Sequence, residues 1–133
     1  MSASPDLARL LLEKAHGDRL VLLRLIDDEA IPAWSLGFHA QQAVEKALKA
    51  MLTCAKVEYP RTHNLSMLLE LLRINGLPLP PGAETLSRLT PFGAAFRYED
   101  ELEIGAMNIL DRAWAMECVV RTVAWAENFL QEK

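Results

Sequence analysis

The chain has 133 residues, 51% of them hydrophobic, and a formal net charge of −4 at neutral pH. This length suits one domain with its own hydrophobic core, and the composition excludes an intrinsically disordered chain. The acidic balance argues against wholesale binding of a nucleic-acid backbone, although it leaves room for a local basic patch.

The two cysteines, Cys54 and Cys118, lie far apart and have no Cys or His at metal-ligand spacing. This usage predicts reduced, buried thiols in a cytoplasmic protein. Charged residues interrupt the N-terminal segment, and no apolar run approaches the ~20 residues that span a bilayer. We therefore expect a cytoplasmic protein away from the membrane, and we assign no metal and no cofactor.

Glycine and proline divide the chain into helical segments, and strand alternation is not visible. Ser4 and Pro5 favour the start of a first helix that runs to about Ile26. Gly17 weakens the middle of this helix by about 1 kcal/mol relative to alanine, so a break is allowed there. The second helix is predicted from about 32 to about 56.

The third helix is predicted to begin after Pro60, with Thr62 as its N-cap, and to end at Asn75 and Gly76. The sequence LPLPPG that follows is the longest helix-free connection. A shorter helical piece is predicted over residues 83–95, with an interruption or restart at residues 90–91. The last helix is predicted over residues 103–131.

The last helix carries apolar residues over most of its circumference. One stripe contains Met107, Trp114, Cys118, Trp125 and Phe129, and the other contains Ile109, Met116, Val120 and Val123. Such a helix is either central in a bundle or shared with a partner. We expect a homodimer that uses this helix or the first one, the alternative being a monomer that buries both stripes.

These segments together predict an all-α protein. The expected architecture is a single domain over residues 1–133, an antiparallel up-and-down bundle of four to five helices with one longer crossover. Motifs of a phosphate loop, a zinc site or an activated nucleophile are absent from the sequence. Residue patterns alone therefore indicate a helical binding or interaction module.

The second helix contains the sequence FHAQQAVEKALKAML, residues 38–52. At about 100° per residue, the core-facing residues are Ala40, Val44, Ala47, Leu48, Met51 and Ala55. The residues on the opposite side are Gln42, Glu45, Lys49 and Lys56, with Gln41 at the border. Glu45 precedes Lys49 by four residues, the favourable order for a helical ion pair. Spacing alone therefore predicts a solvated, self-paired surface.

The same stretch, followed by EYPRTHNLSMLLELL and later by FRYED, resembles the HEPN domain. It is most similar to small prokaryotic HEPN proteins that carry a glutamine pair, EKALKA, a Pro-x-Thr-His-x-Leu turn and a late Arg-Tyr pair. The resemblance extends over nearly the whole chain and implies a helical bundle that is usually dimeric. The matching candidate residues for binding a ligand or a partner are Gln41, Gln42, Glu45, Lys46, Lys49, Arg61, Thr62, His63, Arg97 and Tyr98.

The resemblance also implies a choice of functions. HEPN proteins are often encoded beside a minimal nucleotidyltransferase in pairs that look like toxin and antitoxin, and their proposed roles divide between nucleotide or partner binding and metal-independent RNA cleavage. Nuclease members carry an Arg followed four to six residues later by a His, but here Arg97 is followed by YEDELEIGA and no later His occurs. Arg9 and His16 have a similar spacing in the first helix, where we interpret it as chance.

We therefore expect a non-enzymatic HEPN module that pairs with a nucleotidyltransferase and contributes to a nucleotide site. One alternative is an RNase toxin with a non-standard site, in which His63 and Arg97 converge and RNA is the substrate. The other alternative is a scaffolding homodimer without a ligand.

Overall fold

The computed structural model describes residues 3–94 and 109–132. Every regular element in these two ranges is helical, which confirms the predicted all-α class. The elements in chain order are α1 (Ala3–Leu25), α2 (Ala33–Cys54), α3 (Leu65–Ile74), α4 (Ala83–Leu86), a 3-10 helix (Ser87–Ala94) and α5 (Arg112–Gln131).

Helix α2 is the central element, because it packs against α1, α3, the 3-10 helix and α5. Its alanines let neighbouring helices approach closely, and its larger apolar residues fill the space between them. Fully buried members of the core from α2 are Leu36, Ala40, Val44, Leu48, Met51 and Leu52. The core-facing side predicted from helical spacing is thus confirmed.

Helix α1 continues through Gly17 without a break, and Ser4 lies inside the helix rather than at its N-cap. The glycine is exposed, and an added Cβ would meet nothing within 4 Å. The cost of glycine in a helix, about 1 kcal/mol, is small compared with the packing of α1 on α2, so the helix persists.

Helix α2 ends in a Schellman motif that uses a lysine where glycine is usual. The Val57 amide donates to the Leu52 carbonyl at 2.9 Å, and the Lys56 amide donates to the Thr53 carbonyl at 3.0 Å. Lys56 adopts the left-handed conformation with φ of 62°. This motif turns the chain sharply back across α2 and starts the loop of residues 57–64.

The predicted start of α3 was wrong by two residues. Asn64 is the N-cap, since its side chain accepts a hydrogen bond from the Met67 amide at 3.2 Å. The Thr62 hydroxyl instead accepts from the Asn64 amide at 3.0 Å, which shapes the turn before the helix. Asparagine caps helices better than threonine, so the helix begins at the later residue.

The helical piece predicted over residues 83–95 consists of α4 and the 3-10 helix, which takes over at Ser87 and accommodates Pro91. Residue 95 lies outside the described residues. The 3-10 helix packs closely on α2, because a Cβ on Gly37 would come within 2.2 Å of the Phe92 ring. Glycine in α2 therefore allows this close approach.

Helix α5 begins at Arg112, later than predicted. Asp111 caps it by accepting a hydrogen bond from the Trp114 amide at 3.0 Å, whereas residues 109–111 are not helical. Residues 103–108 lie outside the described residues. The apolar pattern continues on the N-terminal side of this capping aspartate, and for that reason it predicts too early a start for the helix.

Both apolar stripes of α5 contribute to the core, through Cys118 and Val123 among others. Val120 nevertheless remains 42% exposed. Burial raises the pKa of the Cys118 thiol to about 11, and Cys54 is half-buried. None of the helices in the described ranges is long and apolar enough to cross a membrane.

Candidate functional site

A connected set of polar side chains lies on the side of α2 that faces the 57–64 loop. Gln41 is fully buried and Glu45 is only 4% exposed. The Gln41 amide group donates to the Glu45 carboxylate at 2.9 Å and accepts a hydrogen bond from Gln42 at 2.8 Å. Buried polar groups of this kind are tolerated only when they are hydrogen-bonded, and each of these is.

Two cationic or basic side chains complete the set around Glu45. Lys49 Nζ lies 3.0 Å from one carboxylate oxygen, and His63 Nδ1 lies 2.8 Å from the other. Lys49 is 14% exposed, whereas His63 is 62% exposed and turns its other face to solvent. We call Gln41, Gln42, Glu45, Lys49 and His63 the Glu45 cluster.

The Glu45–Lys49 ion pair predicted from sequence is confirmed, but the prediction of a solvated surface is wrong. Helical spacing correctly places Glu45 away from the main core. The 57–64 loop crosses that side and brings His63 onto the carboxylate, so Glu45 is buried. The periodicity of one helix cannot show which segment covers its second side.

The electrostatics of the cluster keep Glu45 ionised. Burial alone would raise the pKa of this carboxyl group, but hydrogen bonds from Gln41, His63 and Lys49 outweigh the burial. The pKa of Glu45 therefore lies below its ordinary value. At neutral pH the side chain is a fixed anion that three donors hold in place.

Hydrogen bonds and close packing also hold the backbone around the cluster in place. Gln41 donates a second hydrogen bond to the His63 carbonyl at 3.0 Å, which fixes the loop to α2. The Thr90 hydroxyl of the 3-10 helix accepts from the Leu65 amide at 3.2 Å. A Cβ on Gly93 would come within 2.5 Å of the Gln41 amide carbon, so the 3-10 helix closes directly over Gln41.

Tyr59 extends the cluster toward the end of α2. Lys49 Nζ lies 5.7 Å from the centre of the Tyr59 ring, within the range of a cation–π contact. The Tyr59 hydroxyl forms a hydrogen bond with Thr53 at 3.1 Å. Lys49 is thus fixed by a carboxylate on one side and by an aromatic ring on the other.

Lys46 does not belong to this cluster, although the sequence grouped it there. Its Nζ donates to Asp18 Oδ2 at 2.7 Å, and His39 Nδ1 lies 3.1 Å from Asp18 Oδ1. Asp18 comes from α1, and His39 and Lys46 come from α2. We call these three residues the Asp18 cluster. Sequence reasoning missed Asp18 and His39, because the contact joins two helices and leaves no periodic signal in either.

Two of the remaining candidates belong to the loop before α3, and the other two lie outside the described residues. Arg61 is exposed and makes no ion pair with the residues that the structure describes, and Thr62 is half-buried in the turn before α3. Arg97 and Tyr98 lie outside the described residues, so their part in a site stays a prediction. His16 lies 3.3 Å from Glu127 of α5, which gives it a partner unrelated to Arg9.

The described residues contain no group of three or more His, Cys, Asp or Glu side chains placed to hold a metal ion. The two clusters offer fixed ion pairs, amide hydrogen bonds and imidazoles paired with carboxylates.

Comparison with known proteins agrees with the all-helical architecture. The model of the HEPN domain matches residues 8–132, which is nearly the whole chain. No curated protein matches the chain, and no solved structure does. Since the family model covers far more than half of the sequence, the chain belongs to the HEPN family.

Proposed function

We propose that this HEPN protein is a non-enzymatic binding module, the helical partner of a nucleotidyltransferase in a toxin–antitoxin-like pair, with a nucleotide site on the exposed side of α2. The observation that carries this proposal is the Glu45 cluster. A buried, ionised carboxylate fixes two basic side chains and a loop on one face of the central helix.

The cluster is better suited to binding than to acid–base chemistry. A general acid must hold a proton at working pH, and a general base works best with a pKa near that pH. Glu45 has a lowered pKa and is surrounded by donors, so it meets neither requirement. Its role in this account is to orient Gln41, Lys49 and His63 for a ligand.

The exposed face beside the cluster offers the groups that a nucleotide requires. Gln42 provides an amide that can pair with a base edge. Lys46 and Lys49 provide donors for phosphate, and the loop that carries His63 also carries Arg61, which has no carboxylate partner among the described residues. This local concentration of donors contrasts with the net charge of −4 of the whole chain.

Apolar surface on α1 and α5 supports the protein-binding part of the proposal. Leu20 and Leu23 of α1 are about half exposed, and Val120 of α5 is 42% exposed. Between the end of α1 and the start of α5 lies an open groove of about 700 Å³, lined in part by Ile26, Met116 and Val120. We assign this surface to protein contacts, with a homodimer as the expected assembly.

Two measurements on the purified protein test these parts separately. Nucleoside triphosphates should raise the melting temperature of the wild-type protein and should raise it less in Lys49→Ala, compared with the exposed control Lys14→Ala. Sedimentation at micromolar concentration should show a dimer. A chain that responds to no nucleotide, recruits no partner and sediments as a dimer would support the scaffolding alternative instead.

One observation favours a second candidate function, metal-independent RNA cleavage at a non-standard site. His63 is paired through Nδ1 with a buried carboxylate, which leaves Nε2 available on a largely exposed ring. A carboxylate that orients an imidazole in this way is a recurring arrangement in general-base catalysis. Arg61 lies two residues away and could stabilise phosphate charge.

The two candidates differ in an RNA cleavage assay carried out with EDTA. The binding proposal predicts no cleavage above the background of the buffer. Cleavage that disappears in His63→Ala or in Arg97→Ala, but persists in His16→Ala, would replace the binding proposal by the nuclease one.

A further inference from the structure

The orientation of the Gln41 amide is determined by chemistry. Its nitrogen faces the Glu45 carboxylate at 2.9 Å and the His63 carbonyl at 3.0 Å, and both of these are acceptors only. The reversed amide would place its oxygen against two acceptors in a buried site, which is strongly unfavourable. The Gln41 oxygen must therefore point to Gln42.

The orientation of the Gln41 amide determines the orientation of the Gln42 amide. Because the Gln41 oxygen is an acceptor, Gln42 must present its NH₂ group to it, at 2.8 Å. The ionised Glu45 thus sets the direction of two successive amides. An isolated surface glutamine can turn its amide by 180° at little cost, but Gln42 would lose this hydrogen bond by doing so.

The free edge of Gln42 is consequently defined. Its oxygen accepts no hydrogen bond from the residues that the structure describes, and one of its two amide hydrogens is likewise uncommitted there. The side chain is only half-buried. Gln42 therefore offers one free acceptor, its oxygen, and one free amide hydrogen, and the hydrogen bond to Gln41 keeps the oxygen from exchanging places with the nitrogen.

A donor for phosphate, the ammonium group of Lys46, lies on the same stripe of α2. His39 precedes Gln42 by three residues and Lys46 follows it by four, so the three side chains are neighbours on the helix surface. Asp18 holds His39 and Lys46 in place and uses one ring nitrogen of His39 and one of the three ammonium hydrogens of Lys46. The other ring nitrogen and the other ammonium hydrogens have no partner among the described residues.

We infer that Gln42 reads the adenine base of a nucleotide whose phosphates bind at Lys46; this inference rests on the nucleotide site proposed above. A glutamine amide pairs in a bidentate manner with the amino group and the adjacent ring nitrogen of adenine. Hypoxanthine has an oxygen in place of that amino group, and this oxygen would face the fixed oxygen of Gln42. The Asp18 cluster then belongs to the ligand site, although nothing in the sequence pattern includes Asp18 or His39.

The test compares ATP with ITP by titration calorimetry on the full chain. One bidentate amide–base pair discriminates by about 1–3 kcal/mol, so the wild-type protein should bind ATP between about fivefold and about a hundredfold more tightly than ITP. Gln42→Leu should bind the two nucleotides equally. Gln131→Leu, at the exposed end of α5, should keep the preference of the wild type.

Equal binding of ATP and ITP by the wild-type protein would overturn the inference about the base and leave the proposed nucleotide site standing. The absence of binding by any nucleoside triphosphate would overturn both. The comparison of ATP with ITP uses only the wild-type chain, so it decides the question even when Gln42→Leu fails to fold. Lys46→Ala should weaken both nucleotides to the same degree, and unchanged affinity would remove Lys46 from the phosphate site.

Discussion

Glu45→Gln is the substitution that tests the Glu45 cluster most sharply. The variant keeps the shape of the side chain and the hydrogen bond from Gln41, but it removes the charge that Lys49 and His63 share. Loss of one member of a fully buried ion pair costs about 3–5 kcal/mol. Since Lys49 is 14% exposed and His63 is 62% exposed, we expect a lower cost, about 2–4 kcal/mol.

The expected cost corresponds to a large shift in melting temperature. The entropy of unfolding is about 2.1 cal/mol/K per residue, or about 0.28 kcal/mol/K for this chain of 133 residues. The melting temperature of Glu45→Gln should therefore fall by about 7–14 °C at neutral pH. Circular dichroism during heating measures it. Glu70→Gln, which removes a carboxylate paired with Arg73 at the exposed surface, is the matched control and should melt close to the wild type.

Wild type and Glu45→Gln should also differ in how their stability depends on pH. The folded protein holds the pKa of Glu45 below its ordinary value of 4.5, so the carboxylate stabilises the fold above that value. This stabilisation is lost as the pH falls through the lower pKa of the folded state. The gap between wild type and Glu45→Gln should thus be largest near neutral pH and should shrink in acid. Equal stability at neutral pH, or a gap independent of pH, would refute the role assigned to Glu45.

Three further substitutions test how the site is positioned, each by chemical denaturation. Gly93→Ala should destabilise the fold by about 1–3 kcal/mol, because its Cβ would overlap the Gln41 amide. The control Gly17→Ala should be neutral or stabilising, and similar losses of stability for both variants would contradict the close approach of Gly93 to Gln41. Lys56→Gly should stabilise by up to about 1 kcal/mol by relieving the left-handed backbone, and a loss would contradict the assigned conformation. Arg112→Lys should lower the free energy of unfolding by about 1–3 kcal/mol, because lysine cannot reproduce the guanidinium group that donates to three carbonyls of the α1–α2 loop. An unchanged free energy would show that Arg112 does not anchor this loop.

The sequence predicted the helices well because their cause is local. Proline at 32 and the glycine at 76 mark helix ends through the chemistry of single residues. The errors at the starts of α3 and α5 arose where two capping residues competed or where an apolar pattern continued past a cap.

The site was predictable in composition but not in arrangement. The resemblance to HEPN proteins selected Gln41, Glu45 and His63 together, and these three are in contact. Burial of Glu45 depends on the 57–64 loop, which the spacing of α2 does not encode. The Asp18 cluster depends on the register of the α1–α2 hairpin. The loop between Leu25 and Ala33 sets this register and brings Asp18 to His39 and Lys46, and the helix bounds that define the loop are known only from the structure.

The central claim is that this HEPN protein acts by binding a nucleotidyltransferase rather than by cleaving RNA. The most direct measurement is purification of the tagged chain from its native host, with quantitative mass spectrometry of whatever is recovered with it. We expect a nucleotidyltransferase in an amount comparable to that of the chain. Recovery of the chain without a nucleotidyltransferase would contradict it.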